Sequence, residues 1–139
     1  PDFLPDALES GTVNTAGIIG LGAGLAFLQE KGLDSIHHRE MTLAHRLWRG
    51  LESLPGVELY GGAPQLPVVS FTIQGQASEE TAAGLDQRGA AVRAGLHCAP
   101  LAHNKMGTME RGTVRASLGA FNTADEVDAF CREVASLLP

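Results

Sequence analysis

The chain has 139 residues, one domain's worth of sequence and enough to bury about two-thirds of its unfolded surface in a single core. With 44% apolar and 19% charged residues it is expected to be neither a disordered tail nor a membrane protein. A net charge of −6 has the wrong sign for neutralising phosphate backbones, so nucleic acid is not an expected partner, and two cysteines supply no disulfide framework, so a reducing cytoplasm is the expected setting.

The chain opens at Pro1 without a Met, and a turn-rich stretch, PDFLPDALESGTVNT, leads into an apolar helix as though a further segment preceded it. Ile18, Leu21, Leu25 and Leu28 recur at helical spacing and predict a helix over about 16–31, with Thr15 as its N-cap. Gly17, Gly20, Gly22 and Gly24 would each weaken an exposed helix by about 1 kcal/mol, which suggests a neighbour packed closely against it. The apolar run from Ala16 to Leu28 is too short to cross a bilayer. A second helix is expected from Asp34 to about Ser53, with Leu43, Leu47 and Leu51 on its apolar stripe and Pro55-Gly56 ending it. Val57–Tyr60 and Val68–Ile73 read as strands, the second alternating cleanly through Val69, Phe71 and Ile73. Ser78 opens a short helix ending near Gly89, residues 91–94 suggest a third strand, and Thr113–Leu118 a fourth. Between them, Gly95–Gly112 shows no convincing period and reads as loop. Thr123 and Glu126 form a capping-box pattern before Val127, Phe130, Cys131, Val134 and Leu138. Strands mixed with helices in this order predict an α/β two-layer sandwich, a small sheet covered by helices.

The chemistry concentrates in VRAGLHCAPLAH, residues 92–103, and GTVRASLGAFNT, residues 112–123. A thiol is nucleophilic as its thiolate, which neighbouring cations favour, and Cys98 lies beside His97 and within a few residues of Arg93 and His103. Its spacing is also compatible with a small buried hydrophobe, whereas Cys131 falls on the apolar stripe of the last helix and is expected in the core. Arg115 alternates with Val114 and Ala116, so its planar fork points away from the apolar face, either into solvent or toward a carboxylate. Arg93 is a weaker case of the same kind. No metal site is expected, because His97, Cys98 and His103 lack a fourth local ligand, and His37, His38 and His45 carry no HExxH pattern. GIIGLGAG fails the dinucleotide spacing and follows no strand. SGTVNT, residues 10–15, precedes a helix and offers backbone N–H groups and two threonines that suit an anion, or simply an N-cap loop.

Three segments, ESGTVNTAGIIGLGAGLAFL, VRAGLHCAPLAH and GTVRASLGAFNT, resemble the C-terminal part of class V aminotransferase-fold enzymes, and within them the cysteine desulfurase and selenocysteine lyase branch. The resemblance implies the small C-terminal domain of a fold-type I pyridoxal phosphate enzyme, with its sheet mainly antiparallel, over residues 33–139, preceded at residues 1–32 by an interdomain segment and long helix. It implies that Cys98 accepts sulfur from cysteine to leave a persulfide and alanine, that Arg115, Arg93 and His97 bind the amino-acid substrate, and that Gly11 and Thr12 reach the phosphate of pyridoxal phosphate in a neighbouring subunit of a homodimer. A sulfur-acceptor protein and a role in iron–sulfur cluster assembly are further implications. The Schiff-base lysine of the family lies in a Ser-x-His-Lys context that neither Lys31 nor Lys105 shares, so this chain is expected to be inactive alone. A class V aminotransferase, lyase or epimerase with Cys98 incidental, and a non-enzymatic interaction module, are the alternatives.

Overall fold

The computed structural model describes residues 2–9 and 11–139, so that Pro1 and Ser10, the first residue of the SGTVNT segment, lie outside the described residues. The chain divides into two compact units, Pro1–Ile36 and His37–Pro139.

In the first unit, helix α1 spans Thr15–Lys31. Its cap is Asn14 and not Thr15: the Asn14 side chain accepts from the Gly17 N–H at 3.0 Å, whereas the Thr15 hydroxyl turns back to the Val13 carbonyl. Asn and Thr both make good caps, and the longer amide side chain reaches the third N–H here. Every described residue of α1 stays outside the core, with Ile18 58%, Leu21 66% and Leu25 52% exposed. At Gly17 a Cβ would stand 2.6 Å from the capping Asn14 side chain, whereas at Gly20, Gly22 or Gly24 it would meet nothing within 4 Å, so for these three the close neighbour that the glycines suggested is not found among the described residues. No helix among them is long and apolar enough to cross a membrane.

Helix α2, Leu33–Glu52, starts in the first unit and runs into the second, which adds β1 (Val57–Tyr60), β2 (Val68–Ile73), α3 (Ser78–Asp86), β3 (Arg93–Gly95), α4 (Pro100–Met106), β4 (Thr113–Ser117) and α5 (Ala124–Ser136). The four strands form one sheet in the order β1-β2-β4-β3, every pairing antiparallel. Strand alternation puts Val69, Phe71 and Ile73 of β2 and Val114 and Ala116 of β4 on one face, where they bury against Leu43, Leu47 and Leu51 of α2, Leu85 of α3, and Val127 and Val134 of α5. Phe71 is fully buried, its ring edge-on to Phe130 at 6.2 Å between centroids. This is the expected sandwich of helices on a small antiparallel sheet.

Ser78 opens α3 as expected; the N-cap before it is Ala77, whose N–H is met by the Glu80 carboxylate, while the Ser78 hydroxyl is buried and donates to the Arg111 carbonyl at 2.7 Å. The details differ in two places. Strand β3 is three residues long and begins two positions later than expected, because residues 91–92 make no ladder pairing. The loop over 95–112 contains α4, opened by Pro100 and closed by Gly107 in the left-handed conformation at φ 70°. Capping of α5 by Thr123 and Glu126 is as expected, with both reciprocal hydrogen bonds formed.

Cys131 lies half-buried where α5 meets α2, and a Cβ on Gly50 would stand 2.5 Å from its Sγ. The two helices approach as closely as they do because α2 presents no side chain at that point. Phe71 is fully buried in this core, with its ring against Phe130 of α5. Phe71→Ala is therefore expected to lower unfolding free energy by about 3–5 kcal/mol, read as an earlier urea midpoint with unchanged slope; a loss below about 1 kcal/mol would mean that Phe71 is not central to the packing.

Candidate active site

Four residues form a row across the sheet on the face turned away from the core. Tyr60 of β1 pairs with Ser70 of β2, Ser70 with Arg115 of β4, and Arg115 with Arg93 of β3. The alternation that sends Val114 and Ala116 into the core sends Arg115 to this other face. Two like charges directly opposite on neighbouring strands repel, and an anion set against them relieves the repulsion. Arg93 is exposed, Arg115 is half-buried, and the Arg115 Nε is a buried donor with no hydrogen-bond partner. A buried unpaired donor on a charged group is costly, which marks it as the half of an interaction that a carboxylate would complete.

Cys98 occupies a turn between β3 and α4. The Ala99 N–H donates to the Leu96 carbonyl at 2.9 Å, and both central residues, His97 at φ 51° and Cys98 at φ 59°, are in the left-handed region. Neither is glycine, and each such residue costs on the order of 1 kcal/mol or more. The reward is placement: Cys98 is exposed at the apex of the turn. Close backbone packing holds the turn in register. Gly112, at φ 61°, leaves so little room that a Cβ there would stand 2.7 Å from the Gly95 Cα and 2.9 Å from the Ser78 Oγ. One residue further along β4, the Thr113 carbonyl bonds the His97 Nε2 at 3.2 Å.

A carbonyl only accepts, so the His97 Nε2 carries the hydrogen and Nδ1 is left as a bare acceptor; it is buried and has no partner. Burial holds the His97 pKa below its ordinary value, and the charges of Arg115, His103 and Arg93 push the same way against the opposing pull of the Thr113 carbonyl. His97 is thus a neutral imidazole beside two arginines at neutral pH. His103, on α4, is buried at 6% exposure with its Nδ1 2.8 Å from the Thr108 Oγ1 and its ring 6.0 Å from that of His97. In the sequence His103 stands out only by its nearness to Cys98; its place on the inner side of a short helix is visible only once α4 exists. Burial raises the pKa of the Cys131 thiol, with the Asp128 carboxylate adding to it.

Cys98, His97, Arg93 and Arg115 all belong to the unit His37–Pro139. Gly11 and Thr12 belong to the other unit and are exposed. His37, His38 and His45 are exposed along α2, and among the described residues no three His, Cys, Asp or Glu side chains converge as a metal site.

The model of one protein family, aminotransferase class-V, matches residues 2–130. Similar proteins include a probable cysteine desulfurase of Synechocystis, 36% identical over 135 residues that cover 94% of this chain and 32% of that protein. A cysteine desulfurase of Escherichia coli O139:H28 is 43% identical over 126 residues, 89% of this chain and 30% of that protein. Among solved structures, the apo cysteine desulfurase from Thermococcus onnurineus NA1 matches with a TM-score of 0.85 at 37% identity over 96% of this chain and 34% of its own. An Escherichia coli cysteine desulfurase solved in an S-sulfonic acid form matches with 0.83 at 30% identity over 97% and 34%. The chain spans about a third of the length of these relatives.

Two outcomes follow from the site's backbone and charge. Cys98→Gly removes a side chain from a left-handed position and is expected to raise stability by about 0.5–1 kcal/mol, seen as a higher thermal midpoint; a lower midpoint would show that the turn carries no strain at Cys98. The His97 pKa is depressed in the folded chain, so its share of stability is full above the ordinary value of 6.5 and is lost as pH falls through the folded value. His97→Asn should therefore flatten the decline of the urea midpoint between neutral pH and about pH 5, and an identical decline in both proteins would contradict the assignment.

Proposed function

The chain belongs to the aminotransferase class-V family, and we propose from that premise that it is the C-terminal part of a pyridoxal phosphate cysteine desulfurase in which Cys98 receives the substrate sulfur. The observation that carries the reading is the placement of one exposed cysteine at the apex of a left-handed turn whose other central residue, His97, feels the charges of Arg115 and Arg93, the Arg115 Nε lacking a partner.

In this reading Arg115 clamps the carboxylate of cysteine through its planar fork, and Arg93 adds positive potential from the neighbouring strand. His97, held neutral, adds no third charge to the pocket and keeps an acceptor at Nδ1. The Cys98 thiolate attacks the substrate sulfur: an S–S bond forms as the C–S bond breaks, the C–S electron pair stays with carbon, and protonation of that carbon gives alanine. Enzyme thiol plus cysteine thus becomes enzyme persulfide plus alanine, with atoms and electrons in balance. An exposed apex suits both halves of the task, since the persulfide must afterwards be handed to an acceptor, here proposed to be a protein.

Pyridoxal phosphate is the cofactor that the family implies, and the residues of this chain do not by themselves fit it. Gly11 and Thr12 are exposed, and among the described residues a Cβ on Gly11 would meet nothing within 4 Å. Lys31 pairs with Glu30 at 2.9 Å, and Lys105 is exposed on α4. The cofactor's main contacts are assigned to the rest of the polypeptide and to a second subunit of a homodimer, with this chain inactive alone.

The test uses the intact enzyme that contains this segment. Cys98→Ala should abolish sulfide release from cysteine under a reductant, and Arg115→Ala should raise KM by about 10–100-fold, the scale of one lost charge-assisted contact. Unchanged sulfide release without the Cys98 thiol would remove Cys98 from the mechanism, and amino transfer to a keto acid without sulfur release would favour the aminotransferase alternative.

A further inference from the structure

We infer that His103 is a positioning residue for Cys98, acting through His97 and anchored by Thr108. This rests on the reading of Cys98 as the sulfur acceptor but uses none of the chemistry of that step. Three observations place His103 there. It is the buried histidine of the molecule, on the helix that begins two residues after Cys98. Its ring is fixed from behind, because Nδ1 meets the hydroxyl of Thr108, itself 1% exposed, at 2.8 Å, while the Thr108 N–H donates to the His103 carbonyl at 2.9 Å. Its ring then stands 6.0 Å from that of His97 at 47°, within the range of favourable aromatic contacts.

The His97 ring is consequently held from two sides, by the Thr113 carbonyl on β4 and by the His103 ring on α4. His97 and Cys98 are the two central residues of the same turn, so anchoring the His97 ring restrains the backbone from which Cys98 projects. Thr108 extends the support, since its carbonyl accepts from the Gly112 N–H at 2.8 Å, and Gly112 is packed against Gly95 at the start of the turn. A cavity of about 300 Å³ lined by Tyr60, Ser70, Ala102, Met106 and both histidines lies between α4 and the sheet. Apolar packing alone does not lock the rings there, and the polar anchors are needed.

The experiment reads two properties that a merely structural residue does not move. One is the tautomer and titration of His97, from the ¹⁵N shifts of its ring; the other is the rate of Cys98 alkylation by iodoacetamide, resolved from Cys131 by peptide mapping. The charged or titratable groups facing His97 are Arg115 of β4, Arg93 of β3 and His103 of α4. In the unsubstituted chain His97 should be a single Nε2–H tautomer that titrates below 6.5. A mixed or Nδ1–H ring would overturn the inference without any variant. His103→Asn keeps a partner for Thr108 but removes the ring, and Thr108→Val keeps the ring but removes its anchor. Both should mix the His97 tautomers, move its titration toward the ordinary value and slow Cys98 alkylation by about threefold. Val127→Ala, a core truncation on the other face of the sheet, should lower stability while leaving both readings in place. If the variants at 103 and 108 change the readings no more than Val127→Ala does, His103 is structural only. Neither reading needs cofactor or cysteine, so failure here leaves the desulfurase proposal standing, and failure of that proposal leaves this one testable.

Discussion

Strand β4 is the constraint on which both halves of the second unit depend. It is hydrogen-bonded on each side, to β2 and to β3, and its five residues alternate between two unlike surroundings. Val114 and Ala116 are buried in the helix-covered core, where their removal from water stabilises the fold. Thr113 and Arg115 face the other way, one holding the His97 ring and the other completing the arginine pair. A register slip of one residue would exchange these sets, put a guanidinium in the core and a valine in the site, and so cost fold and chemistry together. The site is therefore no appendage to the sheet. Its geometry is the second face of the same pairing that builds the core.

The electrostatics of that second face follow from what is left unpaired. Most polar side chains around it are satisfied: the Tyr60 hydroxyl bonds Thr72, and Arg111 bridges Glu58 and Tyr60. Against that background two buried atoms stand without partners, the Arg115 Nε and the His97 Nδ1, a donor and an acceptor. A folded chain seldom leaves such atoms unmet, because each costs on the order of 1–3 kcal/mol in lost hydration. One is a donor on a charged group and the other an acceptor on a neutral ring, so the two make opposite demands on whatever meets them.

Much of this was legible in the sequence because the informative elements are long or sharply punctuated. The stripe of Leu43, Leu47 and Leu51, the alternation of β2 and the reciprocal cap of α5 all repeat a local rule often enough to be read without a structure. Cys98, His97, Arg93 and Arg115 were legible as a cluster of chemistry, and the register supplied what spacing could not, namely that the two arginines face each other across a ladder. Helix α4 was missed because seven residues hold too few turns for a period to show, although Pro100 and Gly107 do punctuate its ends. The glycines of α1 misled for a different reason. Their cost in an exposed helix is real, but apart from Gly17, which makes room for its Asn14 cap, what would repay it is not a contact among the described residues of this chain.

The left-handed turn ties stability to function most directly. Two adjacent non-glycine residues with positive φ persist only where the surroundings over-determine them. Here the surroundings can be named: the Leu96–Ala99 hydrogen bond closes the turn, the Gly95–Gly112 approach fixes where it begins, Pro100 presets the helix that follows, and the Thr113 carbonyl holds the ring of His97. Each of these supports lies within a few residues of the thiol in space, and most are backbone atoms that side-chain substitution cannot remove. A glycine at either central position would relieve the strain and lose either the thiol or the imidazole beside it. The conformation therefore persists against its own local preference because the sheet, through the Thr113 carbonyl of β4, holds the turn that presents an exposed cysteine.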